Sequence, residues 1–124
     1  METKDLIREC IMLPGAIDIV NQGFEQLREG SNFLKTLYGH AAKVLHTQMM
    51  HDYRELSREL RSRGYTIVAG DKGPTGQTYI VRIRGSSDRT MTVPADVAKR
   101  ETDAILERYV KQLEHDLENR RYAQ

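Results

Sequence analysis

No tryptophan, a single cysteine and only three prolines occur among the 124 residues, and aromatic residues make up just 6% of the chain. One cysteine excludes an intramolecular disulfide, so a reducing compartment is the simpler setting and Cys10 reads as a small buried apolar side chain. Long apolar runs are also missing. Ile11 to Val20 is interrupted by Pro14, Gly15 and Asp18, and falls well short of the roughly 20 residues a membrane span requires. The opening stretch mixes Glu2, Asp5 and Glu9 with Lys4 and Arg8, the wrong charge for a signal or transit peptide, so a cytoplasmic location without a membrane partner is expected. Neither charge is in excess: 19 Lys and Arg stand against 18 Asp and Glu, a net of +1. With 39% hydrophobic and 30% charged residues, the chain reads as one folded domain, residues 1–124, able to bury a core without metal or disulfide.

Catalytic and metal signatures are absent too. His46 and His51 lie about 140° apart around a helix, and His40 and His51 share a face at roughly 16 Å separation, so neither pair chelates one ion; His115 stands alone. Gly70-Asp71-Lys72-Gly73-Pro74-Thr75-Gly76 has the wrong spacing for a phosphate cradle, and a strand follows where a helix N-terminus is required. Neither Cys10 nor any serine has a local signature placing a base beside it. A non-enzymatic chain with no cofactor and no metal is expected, although a site assembled only by folding would leave no such trace.

What the chain does have is one long helical pattern, Ser31 to Arg63. Leu34, Tyr38, Ala41, Leu45, Met49, Tyr53, Leu56 and Leu60 recur at steps of three and four and form one stripe. About 33 residues give a rod of roughly 50 Å, against a diameter of roughly 35 Å for a compact domain of this size. Either the helix breaks at Gly39, its only interior glycine, or something covers its overhang. With Phe33, Leu37, Val44 and Met50 lying beyond the stripe, a homodimer is expected, built on Leu34, Leu37, Ala41, Leu45, Met49, Tyr53 and Leu56.

Two short helices are predicted ahead of it. Thr3 caps the first, whose buried side is Leu6, Ile7, Cys10 and Ile11, and Pro14-Gly15 stops it. The second runs from Ala16 to Glu29 on Ile17, Val20, Phe24 and Leu27, with a strand over Ala16 to Val20 as the competing reading; Gly30 closes it. Gly64 terminates the long helix, and the period then changes to two. Strands are expected over Tyr65 to Ala69 and Tyr79 to Ile83, joined by a mobile loop Gly70–Gly76 rather than a tight turn. The turn Gly85 to Asp88 leads to a third strand, Arg89 to Val93. Pro94 opens a last helix from about Ala95 toward Arg120, and Tyr122 to Gln124 are expected to fray. The fold class is therefore α+β: N-terminal helices including a long one, a three-stranded antiparallel meander, and a C-terminal helix packed on the sheet.

Charge is distributed unevenly. Between Arg54 and Arg100 ten basic residues face five acidic ones, and the rest of the chain is correspondingly acidic. If Tyr79, Val81 and Ile83 face the core, Arg82 and Arg84 face outward with Thr66, Thr78, Thr90 and Thr92. An outward patch of Arg82, Arg84 and Arg89, extended by Lys72, Lys99 and Arg100, suits phosphates or an acidic protein. The order helix, three strands, helix, with Gly73-Pro74 ahead of Tyr79-Ile80-Val81-Arg82-Ile83, resembles the double-stranded-RNA-binding domain. That family grips phosphates with a lysine cluster opening its last helix. Here this helix opens Pro94-Ala95-Asp96-Val97-Ala98-Lys99-Arg100, and the first helix is far longer, so the resemblance is one of element order alone. The functional expectation is a small interaction or regulatory module, with nucleic-acid binding by the arginine face as the alternative.

Overall fold

The computed structural model describes residues 1–29 and 33–122, with side chains described outside 24–38, 117 and 120–122. Three helices, α1 (Thr3–Glu29), α2 (Phe33–Ser62) and α3 (Ala95–Tyr122), enclose a meander of β1 (Tyr65–Gly73), β2 (Gly76–Ile83) and β3 (Arg89–Pro94) in sequence order. The fold is α+β, with helices on both chain sides of an antiparallel sheet.

The two short helices expected before the long one are a single helix. Pro14 sits inside α1, and neither the stop at Pro14-Gly15 nor the competing strand over Ala16 to Val20 is formed. A proline in a helix interior costs about 3 kcal/mol, because Pro14 has no N–H for the Cys10 carbonyl and its ring crowds the preceding turn. Packing outweighs that cost. Leu13 and Ala16 are wholly buried and Met12 and Ile17 nearly so, immediately on either side of the proline. Burying two side chains of the Leu and Ile kind is worth roughly 3 to 6 kcal/mol. Thr3 does not cap the helix as expected. The Leu6 N–H donates to the Glu2 carbonyl, while the Thr3 hydroxyl accepts from Arg63 Nη1 at 3.2 Å, tying the start of α1 to the end of α2.

α2 runs unbroken through Gly39. α1 runs antiparallel along its second half. Leu6 and Cys10 pack on Leu60 near one end, and Met12, Leu13, Ala16 and Ile17 share a core with Met49, Val93 and Ile105. Gly64 terminates α2 in the left-handed region at φ 87°, and its N–H donates to the Arg61 carbonyl at 2.9 Å.

The expected loop Gly70–Gly76 is mostly strand. Lys72 pairs with Gln77 and Gly73 with Gly76, leaving Pro74-Thr75 as a two-residue turn. The register slips by one residue between Ala69 and Lys72. That bulge adds local twist, which a turn beginning on proline does not itself supply. Gly76 is required by a close approach: a Cβ there would run into the Val93 carbonyl oxygen and lie 3.0 Å from Pro94 Cα. The Ala95 N–H donates to the Thr75 carbonyl at 2.9 Å, fixing the hairpin turn to the start of α3.

Candidate functional site

The register decides which basic residues share a face. Thr66 pairs with Arg82, and Ile80 with Val68 and Thr90, so these lie on the side away from the helices. Arg89 pairs with buried Val81 and therefore belongs to the opposite face from Arg82. Lys72, Lys99 and Arg100 lie at the hairpin-turn end, where Gly76 pairs with Pro94 ahead of α3. From Gly76 to Arg82 is about 20 Å of strand. The six basic residues therefore form no continuous patch.

A smaller cluster takes its place. Arg61, at the end of α2, joins Arg82 and Arg84 around a shallow depression of about 320 Å³ that also takes in Gly64 and Thr66. The Arg84 N–H donates to the Gly64 carbonyl at 2.8 Å, which brings the end of β2 against the end of α2. Among the described residues Arg82 has only a loose, exposed partner in Asp88 at 4.0 Å, a contact worth little in water. Arg61 and Arg84 form no ion pair among the described residues. Arg61 is not among the site residues expected from the sequence, yet a signal for it existed: a helix ending at Gly64 followed at once by a strand opposite Ile83 puts the last helical turn beside Arg82 and Arg84.

The residues expected on the long-helix interface divide. Met49 is wholly buried in the chain's own core, and Tyr53 and Leu56 pack against that core. Ala41 and Leu45 are half-buried, and the side chains of Leu34 and Leu37 lie outside the described residues. Leu45 borders a groove of about 470 Å³ between α2 and α3, with Val44 and Leu113. Val44 is 54% exposed, and Val110, on α3, 42%. At the inner end of this groove the Tyr109 hydroxyl donates to Asp52 Oδ2 at 2.5 Å, and Gln48 Nε2 donates to Asp52 Oδ1 at 3.0 Å. Arg108 makes two bonds to Glu9, of 3.3 and 3.0 Å, so the network joins all three helices. Burial pushes the Tyr109 phenol well above its ordinary range, and its bond to the Asp52 carboxylate adds to the shift.

A further opening was invisible in the sequence. A cleft of about 590 Å³ lies between the inner face of β1–β2 and the three helices. Small residues on separate elements leave the room: Cys10 and Gly15 on α1, Ser57 on α2, Ala69 on β1 and Ala98 on α3. Its apolar wall includes Ile11, Tyr53, Ile67 and Tyr79. Burial raises both the Cys10 thiol and the Tyr79 phenol; for Cys10 a hydrogen bond from Ser57 opposes the shift and Glu9 adds to it. Arg61 and Lys72 are the cations on the lining, and Asp18 is its carboxylate.

Among the described residues no group of three or more His, Cys, Asp or Glu side chains is placed to hold a metal ion, and no helix is long and apolar enough to cross a membrane. Residues 1–114 match the family described as YhjD protein, and the chain belongs to that family. No curated protein and no solved structure matches it.

Proposed function

We propose that this member of the YhjD protein family is a non-enzymatic interaction or regulatory module that works in the cytoplasm as a homodimer assembled on the long helix. The observation that carries the reading is the open groove between α2 and α3, where Val44 stands 54% exposed. Fully burying a valine side chain is worth about 1.5 to 3 kcal/mol. A two-fold interface buries each such residue twice, once per copy. Light scattering on the intact chain tests this. A dimer is expected for the wild type and a monomer for Val44→Glu, whose exposed position lets the fold stand, and for Leu45→Glu. A wild-type monomer at tens of micromolar protein refutes the reading.

A second reading, nucleic-acid binding, is favoured by the Arg61, Arg82 and Arg84 cluster. Removing Arg82 and Arg84 together should weaken binding uniformly across sequences and reduce the salt slope by about two, because each phosphate contact releases about one counterion. Stability should barely change, since both side chains are exposed. Absence of binding to single- or double-stranded DNA or RNA at about 50 mM salt removes this reading.

A further inference from the structure

We infer that the cleft between the sheet and the helices binds a single-chain amphiphile with one anionic headgroup, its apolar tail against Ile11, Tyr53, Ile67 and Tyr79 and its head on Arg61. The site goes beyond the dimer reading and holds whether the chain is one copy or two.

Size and state of the walls come first. A volume of about 590 Å³ lies within the ordinary range for small-ligand sites, about 300 to 1,000 Å³. Tyr53, Ile67 and Tyr79 are only half-buried, although they belong to the inward side of their elements and pack on the core. An apolar tail would complete their removal from water, and water is what favours such burial.

Charge then sets the orientation. At one end, Arg61 and Thr66 line both the cleft and the outer depression that holds Arg82 and Arg84, so the two openings meet at the start of β1. Arg82 and Arg84 line that outer depression with Arg61, Arg82 beside Asp88 at 4.0 Å, and Arg61 forms no ion pair among the described residues. At the other end, Lys72 lies seven residues further along β1 than Tyr65, and Asp18 eight further along α1 than Cys10. The charges of Lys72 and Asp18 offset each other. Only the Arg61 end is therefore a net cationic mouth. A planar guanidinium holds a carboxylate or a phosphate in a forked pair. Self-pairing of the β1 edge is the main competing occupant, and the bulge after Ala69 works against it.

Calorimetric titration of the intact chain with sodium decanoate tests the assignment, with decanol and inorganic phosphate as separate arms. Saturable binding of one decanoate per chain is expected, with decanol and phosphate each at least about tenfold weaker. Arg61→Gln should bring decanoate down to the affinity of decanol, while Arg100→Gln leaves it unchanged. Ala98→Trp, which fills the cleft, should abolish binding with the circular dichroism spectrum intact; if that variant does not fold, Ser57→Phe serves the same purpose. No saturable decanoate binding overturns the inference. So does decanoate binding undiminished in Arg61→Gln or in a folded cleft-filling variant, and so does phosphate binding as tightly as decanoate.

Discussion

Replacing Pro14 with alanine restores the N–H that the Cys10 carbonyl lacks and removes a ring from the middle of α1. In a continuous helix the interior penalty of about 3 kcal/mol is the ceiling of the gain. Alanine also loosens the unfolded chain, which takes back roughly 0.4 to 1 kcal/mol. A net stabilisation of about 2 kcal/mol follows, or a rise in Tm of roughly 5 to 10 °C for a domain of this size. Gly15→Ala is the companion: its Cβ would sit 3.7 Å from Thr102 Oγ1, an ordinary contact, so the expected gain is about 0.5 to 1 kcal/mol. Urea unfolding of both variants, followed by circular dichroism, gives the numbers. Had Pro14-Gly15 stopped a first helix, proline would sit where no helical hydrogen bond is lost and glycine would serve as the left-handed terminator. Both replacements would then be neutral or destabilising, and a loss of stability in either refutes the single-helix account.

Gly76→Ala should destabilise by more than about 2 kcal/mol, because its Cβ meets backbone of β3 that has no side-chain freedom to yield; thermal unfolding reads the loss. Met49→Ala removes a wholly buried side chain from the shared core and should cost about 2 to 5 kcal/mol in denaturant titration. Tyr109 has its phenol raised in the folded state by burial and by Asp52. Its contribution is therefore complete below the ordinary tyrosine range and is lost as pH climbs through the folded value. Absorbance at alkaline pH should show Tyr109 titrating late, and Tyr109→Phe should remove that late step while costing about 1 to 3 kcal/mol through the partner lost at Asp52 Oδ2.

Local pattern was enough for elements whose signal is itself local. The 3.6 period from Leu34 to Leu60, the terminator Gly64, and the alternation around Val81 each reflect a preference that neighbouring residues create, and each is present in the fold. The continuity of α1 is different. Pro14 carries a real local penalty, and only the burial of Leu13 and Ala16 by α2 and α3 overrides it. Likewise Gly70 to Gly73 reads as loop on composition, and becomes strand because β2 supplies partners across a bulge. Outward placement of Arg82 followed from alternation, whereas the position of Arg89 depended on the cross-strand register with Val81. The cleft had no signature to find, since it is the shortage of volume at five small residues distant in sequence.

Self-association through the long helix is tested most directly by the concentration dependence of thermal unfolding. A homodimer unfolds to two chains, so its Tm rises with chain concentration, whereas a monomer's does not. Raising the chain from about 1 to 100 μM should increase the wild-type Tm by several degrees and leave that of Val44→Glu unchanged. A wild-type Tm that stays constant across the whole range would contradict the account.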